Sequence, residues 1–263
     1  MTVLPRRWLL RTGLALAMPA ILRARQAGAA GTAMPYPAWL DAWAGVLQRR
    51  VDARVRVDFA GIAADPGPLE AVVASVAAQG PQNDPRAFPT RADVIAYHLN
   101  AYNATAMLGI VRRGIPDYLG LIARFAFFAN TTVRIGGTDT TLKEYENDVI
   151  RPLGEERVHF CLNCMVRGCP RLPRVPFRAG VLEAQLSAAA REFCSSPYQV
   201  RPAPDRGRVY VSQIFEFYTS DFTPAKAPSL LAYVNRWRAS TLPDDWRVGF
   251  FDYDWTVNRQ PAR

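Results

Sequence analysis

The chain has 263 residues, of which 49% are hydrophobic and 21% are charged. This apolar content is sufficient for a folded core and excludes an intrinsically disordered chain. The formal net charge is +9, but the first 29 residues hold five arginines and no acidic residue, and without them the balance is +4. A uniformly basic nucleic-acid-binding protein is therefore not indicated. Two histidines and four cysteines exclude a histidine-rich metal site.

The N-terminus has the pattern of an export signal. Arg6 and Arg7 precede a short apolar stretch over residues 12–22, as in twin-arginine signals, and this stretch is too short to span a bilayer. Ala27 and Ala29 fit a signal-peptidase site. The alternative is a basic amphipathic helix that lies on a membrane or on the domain. We predict a twin-arginine signal peptide over 1–30, a single domain over 31–263, and a periplasmic or secreted location.

The spacing of apolar residues predicts a largely helical chain. In chain order, the predicted helices cover residues 37–51, 69–78, 91–113, 118–128, 141–150, 181–194 and 229–236, with a short helix or turn at 213–218. Gly114 and Pro116 end the long third helix. Thr141 and Glu144 form a capping-box pattern at the start of the fifth.

Strand signals are fewer and shorter than helix signals. We predict strands over residues 131–135, 158–162, 209–211 and 248–253, and a strand or extended segment over 54–59. Gly136 and Gly137 indicate a turn, and proline-containing loops are expected at 80–90 and 170–176. The pattern favours one α+β domain in which helices pack against a small antiparallel sheet.

A polar cluster lies in the first half of the long predicted helix. Asn100 and Asn103 are three residues apart and therefore share a helix face, and His98 lies one turn away or less. Asparagine is unfavourable inside a helix, which indicates that both side chains have fixed partners. Either they tie a neighbouring loop to the helix, or they line a pocket with His98 and bind a ligand there.

The cysteines are concentrated after His159. A cysteine beside a histidine is the minimum apparatus of thiol catalysis, with Cys164 as nucleophile and His159 as base. The spacing of Cys164 and Cys169 in an exported protein also favours a disulfide that closes a tight loop. A third alternative is a zinc ion bound by Cys161, Cys164, Cys169 and His159, although the spacing fits no standard zinc motif. Cys194 is expected to be a core thiol.

A further polar cluster lies in the C-terminal third of the chain and includes Ser212 and Asp221. Asp221 is a candidate to orient His159, as a carboxylate orients imidazole in a catalytic triad, and Glu146 is the alternative. Asp221 could equally cap a turn. Ser212 is a candidate ligand-binding residue, and Asn100 could donate to a developing oxyanion.

The ordered set of these motifs resembles the DUF547 family of uncharacterised domains. The resemblance runs from about residue 37 to residue 258. It is carried by Val57-Asp58-Phe59, Leu99-Asn100-Ala101-Tyr102-Asn103-Ala104, Gly136-Gly137 with Thr141-Leu142 and Glu146, Ile150-Arg151, Arg157-Val158-His159-Phe160, Cys164 with Cys169-Pro170, Ser212 with Asp221-Phe222, and Tyr253-Asp254-Trp255. The family resemblance implies no particular reaction.

A more distant similarity connects residues 103–117 with the central helix of transglutaminase-like and papain-like cysteine hydrolases. In those folds a cysteine opens the helix and a histidine follows on a later strand, which His159 would match. The helix position here holds Tyr102 and Asn103 instead of cysteine. The resemblance therefore implies one of two outcomes: Cys164 supplies the thiol from a new position, or the domain has lost the activity and binds a ligand.

Two function hypotheses follow from these observations. The first is a non-catalytic exported domain that binds a small molecule, a peptide or envelope material. The second is a thiol-dependent amide hydrolase that uses Cys164 and His159. In either case we expect no cofactor, no bound metal, no nucleic-acid partner and no stable transmembrane segment in the mature chain.

Overall fold

The computed structural model of the chain describes residues 33–261, so the predicted export signal lies outside the described residues. In chain order, the helices of this part are α1 (Ala38–Arg50), α2 (Phe59–Ala64), α3 (Gly67–Ala78), α4 (Arg91–Arg112), α5 (Leu121–Phe128), α6 (Leu142–Glu144), α7 (Leu182–Ser195), α8 (Ile214–Phe217), α9 (Thr219–Phe222) and α10 (Leu230–Trp237). Single turns of 3-10 helix cover Pro85–Ala87, Arg151–Leu153, Glu156–Phe160, Ala179–Val181 and Pro204–Arg206, and Tyr145–Ile150 is a π-helical turn.

The long helix α4 forms the centre of the fold. Every residue from Ile95 to Leu108 is buried, so the helix is enclosed on all sides and not only along one stripe. Its start is fixed by a capping box in which Thr90 Oγ1 accepts the amide of Asp93 and Asp93 Oδ2 accepts the amide of Thr90. Because α4 is enclosed, polar side chains on it must find partners inside the protein.

Helices α1 and α3 pack together, and α3 also packs against α4. The buried face of α1 carries Trp39, Trp43 and Leu47 at helical spacing, which is the pattern that predicted the helix. On another side of the core, α7 packs against α10 and against the 3-10 turn Glu156–Phe160. That turn holds His159, so the packing of α7 contributes to its position.

The strands form two small sheets. β1 (Val133–Ile135) and β2 (Thr138–Thr140) form an antiparallel hairpin around Gly136 and Gly137. β3 (Val200–Ala203), β4 (Arg208–Ser212) and β5 (Arg247–Phe251) form a second sheet in which β3–β4 is antiparallel and β4–β5 is parallel. The predicted α+β domain is confirmed, and its three-stranded sheet is mixed where an antiparallel one was expected.

The predicted strand over 158–162 is wrong, because these residues form the end of the 3-10 turn Glu156–Phe160 and the segment that follows it. All five are buried, and Leu162 donates its amide back to the carbonyl of Val158. A short buried apolar run does not distinguish a strand from a helical turn by periodicity. The expected extended segment at 54–59 makes only isolated bridges, and Phe59 already begins α2 behind the cap residue Asp58.

Two strands were not predicted from the sequence. β2 is a short run of polar residues, and β3 contains Pro202, which a central strand would not tolerate. β3 is the edge of its sheet, where a missing amide donor is acceptable. In the part of the chain that the structure describes, no helix combines the length and the apolar character that a membrane span requires.

Candidate functional site

Asn103 fixes the segment that follows His159. Its Nδ2 donates to the carbonyl of Cys161 at 3.0 Å, and its Oδ1 accepts the amide of Asn163 at 2.8 Å. Asn163 continues the chain of contacts, since its Oδ1 accepts the amide of Met165 and its Nδ2 donates to Pro170, each at 2.7 Å. The Asn103 amide is therefore used to hold the cysteine segment against α4.

Asn100 serves the fold in the same manner. Its Nδ2 donates to the carbonyls of Ala96 and Phe177, both at 2.8 Å, and its Oδ1 accepts the amide of Phe177 at 3.0 Å. Both donor hydrogens of this amide are occupied, so no donor remains for an oxyanion. Of the two interpretations of the asparagines, these contacts match the one in which they tie a loop to the helix.

His98 and Ser212 also lie apart from the other candidate residues. His98 is buried, its Nδ1 contacts the Tyr145 hydroxyl at 2.5 Å, and burial lowers its pKa to about 4. It is therefore a neutral core histidine at physiological pH. Ser212 is fully buried, and its Oγ accepts the amide of Ile214 at 3.3 Å.

His159 and Asp221 form a direct pair. His159 Nε2 lies 2.8 Å from Asp221 Oδ2, and the imidazole is buried. Arg151 binds the same carboxylate with two contacts of 2.8 Å, from Nε to Oδ2 and from Nη2 to Oδ1. The hydrogen bonds from Arg151 and from His159 hold the pKa of Asp221 well below its usual range, although burial opposes this shift. Asp221 is thus an ionised acceptor.

The ionised carboxylate determines which nitrogen of His159 carries the proton. Because a carboxylate only accepts, Nε2 must donate, and the neutral ring then has an unprotonated Nδ1. His159 Nδ1 is buried and has no hydrogen-bond partner in the structure. In the usual triad the carboxylate holds Nδ1 and leaves Nε2 free, so the two nitrogens have exchanged roles here.

An aromatic side chain fixes the plane of the imidazole. The Tyr218 ring stacks on His159 with 4.0 Å between ring centroids and 19° between planes. Phe222, in α9, packs on the imidazole at a tilted angle with 5.5 Å between centroids. The Arg151 guanidinium lies over the Tyr218 ring, 5.2 Å from its centroid. The histidine is therefore held by packing as well as by its hydrogen bond.

His159 lines a cavity of about 220 Å³. We call it the His159 cavity; the other polar groups on its wall are Cys164, Glu146, Lys143, Asn147, Tyr102, Tyr218 and Tyr253. This volume lies below the 300–1,000 Å³ that is typical of pockets for drug-sized ligands, so only a small molecule fits. Of the predicted catalytic residues, His159, Cys164 and Glu146 meet at this cavity, and Asp221 supports it from behind His159.

Glu146 reaches the cavity from the π-helical turn Tyr145–Ile150. Such turns are uncommon, and they are frequent at functional sites. Tyr102 donates its hydroxyl to Glu146 Oε2 at 3.2 Å. Burial raises the pKa of Tyr102 and of Tyr218 well above the ordinary value, and the negative charge of Glu146 is the second cause. Both phenols therefore stay protonated.

Cys164 and Cys169 are in contact, with 2.6 Å between their sulphur atoms, and both are free thiols. The backbone amide of Cys164 donates to Cys169 Sγ at 3.1 Å. The hydrogen bond with Cys169, together with burial, raises the pKa of the Cys164 thiol. Burial would raise the pKa of Cys169 too, but hydrogen bonds from Cys164 and Tyr253 outweigh it and lower that pKa.

Tyr253 reaches the cysteine pair because Gly168 leaves room for its ring. A Cβ on Gly168 would lie 2.8 Å from the ring of Tyr253 and 2.9 Å from the amide of Asp254. The amide of Gly168 also donates to the carbonyl of Asp254 at 2.8 Å. The resulting close approach brings the Tyr253 hydroxyl to 3.8 Å from Cys164 Sγ.

Cys164 and His159 line the same cavity but are not bonded to each other. The contacts of Cys164 Sγ are with Cys169 and Tyr253, and His159 Nδ1 has no partner. The predicted catalytic dyad is thus not assembled in this structure. Burial raises the pKa of Cys161 well above its ordinary value and that of Cys194 to about 12, which is typical of inert core thiols.

Metal binding gains no support from the geometry. Within residues 33–261, no group of three or more histidine, cysteine, aspartate and glutamate side chains is arranged to hold a metal ion. Cys164 and Cys169 point to each other, and the Nε2 of His159 is occupied by Asp221. The side chains that zinc would need are engaged with other partners.

Sequence reasoning did not assign a role to Arg151, Tyr102 or Tyr218. Arg151 is the strongest partner of Asp221, and the two tyrosines contact Glu146 and His159. Asp221 follows Arg151 by 70 positions, so no local spacing could reveal the pair. A signal was nevertheless present, because an arginine next to apolar Ile150 and two tyrosines inside apolar runs are residue types that bury only with partners.

The fold and the site define an α+β domain in which His159, held by Asp221, and Cys164, in contact with Cys169, border one small cavity. Residues 87–194 match the sequence profile of a family described as a protein of unknown function, DUF547. The match supports the DUF547 family for this chain and includes α4, Glu146, His159 and both members of the cysteine pair. No curated protein and no solved structure matches the chain. The similarity to transglutaminase-like and papain-like hydrolases is therefore not supported.

Proposed function

We propose that this protein binds a small molecule in the His159 cavity. The observation that carries the proposal is the buried, unpartnered Nδ1 of His159, a residue that lines the cavity. A buried polar atom without a partner costs about 1–3 kcal/mol. His159 Nδ1 is one of five such side-chain atoms among the described residues. A ligand that donates a hydrogen bond to Nδ1 would recover that cost.

The contacts around His159 favour a role for its ring in ligand binding. Asp221, Arg151 and Tyr218 fix the ring in one orientation and one tautomer. A preorganised acceptor loses little entropy when a ligand arrives. The wall combines aromatic surface with a few polar groups, which is the usual composition of a small-molecule site.

We also propose that the protein acts outside the cytoplasm. The support is the arginine pair Arg6–Arg7, the short apolar stretch and the alanine-rich segment that ends near residue 30. The ligand would then be a small molecule of the periplasm or the cell envelope.

A second candidate function is thiol-dependent amide hydrolysis, because Cys164 and His159 line one cavity. In this reaction the Cys164 thiol would transfer its proton to His159 Nδ1 and its sulphur would attack the amide carbon. The amine would leave with that proton, and water would hydrolyse the thioester to a carboxylic acid and regenerate the thiol. The contact of Cys164 with Cys169 opposes this candidate, since it keeps the proton on Cys164.

A fragment screen tests the binding proposal. The full chain is screened with a library of small polar fragments by ligand-observed NMR, and each hit is repeated with His159→Phe, which keeps an aromatic ring and removes Nδ1. We expect hits that are lost in His159→Phe and retained in Tyr198→Phe, a change at an exposed site elsewhere. Should His159→Phe not fold, Cys164→Leu, which fills part of the cavity, replaces it. Hits that are indifferent to both changes would refute the proposal.

Alkylation tests the hydrolase candidate separately. The reduced full chain is treated with iodoacetamide at neutral pH, and the modified cysteines are identified by peptide mass spectrometry. A functional nucleophile requires rapid modification of Cys164 that is lost when His159 is changed to phenylalanine. A Cys164 that stays unmodified eliminates the candidate and leaves the binding proposal intact.

A further inference from the structure

The acidic group on the wall of the His159 cavity has no basic partner. Glu146 Oε2 accepts the Tyr102 hydroxyl, and Glu146 makes no salt bridge with any of the described residues. The nearby Arg151 is committed to Asp221 through two hydrogen bonds. Glu146 therefore contributes a negative charge without a salt bridge among the described residues to a largely aromatic wall.

The second acceptor on the wall is His159 Nδ1. In the neutral ring Nε2 donates to Asp221 and Nδ1 is an acceptor, and Nδ1 is buried without a partner. The cavity thus offers a carboxylate and an imidazole nitrogen, and both groups accept hydrogen bonds. A complementary ligand must carry several donors on one group.

The remaining surface of the cavity is mainly aromatic. Tyr102, Tyr218, Tyr253 and Trp255 line it together with phenylalanine side chains. Aromatic faces attract cations through the negative charge of the ring surface, by about 0.5–2 kcal/mol for each contact. An aromatic wall with one carboxylate is the chemistry that recognises ammonium groups.

Two other polar groups, Asn147 and Lys143, line the cavity and limit the alternatives. Asn147 is occupied, since its Oδ1 accepts from Arg151 and its Nδ2 donates to the carbonyl of Lys143. Lys143 lines the cavity, is exposed, and forms no salt bridge with the described residues. It is the one group whose charge would favour an anionic ligand, so its contribution must be tested directly.

From these contacts we propose that the His159 cavity takes the ammonium group of a small primary amine. The ammonium has three donors, and it would give one to Glu146 and one to His159 Nδ1 while the aromatic rings surround it. The volume of about 220 Å³ restricts the ligand to a small body beside this group. This inference rests on the proposed function and names its ligand class.

The experiment compares three probes with the same aromatic body: benzylamine, benzyl alcohol and benzoate. Their binding to the full chain is measured by isothermal titration calorimetry and saturation-transfer NMR at neutral pH. We expect benzylamine to bind most tightly of the three probes. Glu146→Gln should weaken the binding of benzylamine at least tenfold and should change the binding of benzyl alcohol little. Asp148→Asn, the same type of change at an exposed acid on the same turn, serves as the matched control and should leave benzylamine binding unchanged.

Lys143→Ala separates a cation site from an anion site. We expect this change to leave benzylamine binding equal or stronger, because it removes a like charge. Preferred binding of benzoate that is lost in Lys143→Ala would overturn the inference and leave the proposed function standing. Failure of all three probes, while the fragment screen yields His159-dependent ligands, would also overturn it. A screen without any His159-dependent ligand would instead refute the proposed function itself.

Discussion

At the scale of single residues, His159 owes its properties to Asp221 and Arg151. The guanidinium keeps the carboxylate ionised, and the carboxylate accepts a hydrogen bond from Nε2. In the neutral ring Nδ1 is then a buried acceptor without a partner. The sequence offered Asp221 as a candidate to orient His159, with Glu146 or a turn-capping role for Asp221 as the alternatives. Which nitrogen is held, and the role of Arg151, depend on tertiary packing and could not be inferred.

The first prediction concerns the carboxylate at the centre of this group. We expect Asp221→Asn to lower the free energy of unfolding by about 2 kcal/mol at neutral pH, because charged hydrogen bonds to Arg151 and His159 are lost. Urea unfolding followed by circular dichroism measures the change. Asp205→Asn, at an exposed turn, is the matched control and should have little effect.

The pH dependence of this difference follows from the lowered pKa of Asp221. The folded-state pKa of Asp221 lies below the ordinary value of 3.8. Its stabilising contribution is therefore complete well above pH 3.8 and is lost as the pH falls from there toward the folded-state pKa. The stability gap between the parent chain and Asp221→Asn should therefore be constant from pH 7 to about pH 5 and should narrow below about pH 4. A stability difference between the two chains that widens in acid would contradict the lowered pKa of Asp221.

The second prediction concerns the cysteine pair, for which we propose a disulfide under oxidising conditions. Oxidised glutathione would react with one thiol of the pair and release one glutathione. The other thiol would then attack the mixed disulfide, release the second glutathione and close the Cys164–Cys169 bond. We expect two of the four thiols to titrate after denaturation, with Cys161 and Cys194 still reduced.

Two variants make the thiol count decisive. Cys169→Ser should give no internal cross-link, whereas Cys194→Ser should still form it. Peptide mass spectrometry identifies the linked residues. Four titratable thiols after treatment of the parent chain would show that the contact of 2.6 Å does not lead to a bond.

At the scale of elements, the segment from Glu156 to Cys169 is held by asparagine side chains of α4, by packing against α7 and, at its end, by backbone hydrogen bonds to the C-terminal segment. The sequence predicted a strand over residues 158–162, because a short apolar run does not show which elements will cover it. The two asparagines of α4 were recognised as residues that need partners, and one of the two interpretations offered for them matches the observed contacts. The partners themselves lie about 60 to 77 positions away and follow only from the fold.

The third prediction tests this positioning role. We expect Asn103→Ala to destabilise the protein by about 2 kcal/mol, because the carbonyl of Cys161 and the amide of Asn163 would be left buried without partners. The same change at exposed Asn130 is the control and should be nearly neutral. Both variants are compared by urea unfolding, and an equal effect of the two would show that Asn103 does not hold the segment.

At the scale of the whole molecule, most helices were predictable from the sequence, since apolar spacing and capping residues are local signals. Thr90, Thr141 and Ser229 cap helices in the structure. The mixed sheet was less predictable, because pairing of β4 with β5 joins residues that are distant in the chain. The His159 cavity was least predictable, because its wall combines residues from α4, the π-helical turn, the cysteine segment, the α8 region and the C-terminal segment.

The fourth prediction concerns the N-terminus and the proposed location. We expect Arg6→Lys combined with Arg7→Lys to keep the protein in the cytoplasm, because the paired arginines are the recognised feature of the signal. Cell fractionation and the intact mass of the exported chain measure the outcome, and cleavage near residue 30 is expected for the parent. Lysine substitution of Arg23 and Arg25 is the charge-matched control. Export that is unaffected by the change at Arg6 and Arg7 would refute a twin-arginine route.

The most direct test of the ligand-binding account is the protonation state of His159 with and without ligand. The chain has only two histidines, so long-range proton–nitrogen correlation NMR gives two imidazole patterns, and His159→Phe assigns them. We predict that His159 in the free protein has a protonated Nε2 and an unprotonated Nδ1. Benzylamine at saturation should shift the Nδ1 signal of His159 and leave His98 unchanged. A protonated Nδ1 in the free protein, or a His159 pattern that no bound fragment alters, would contradict the account.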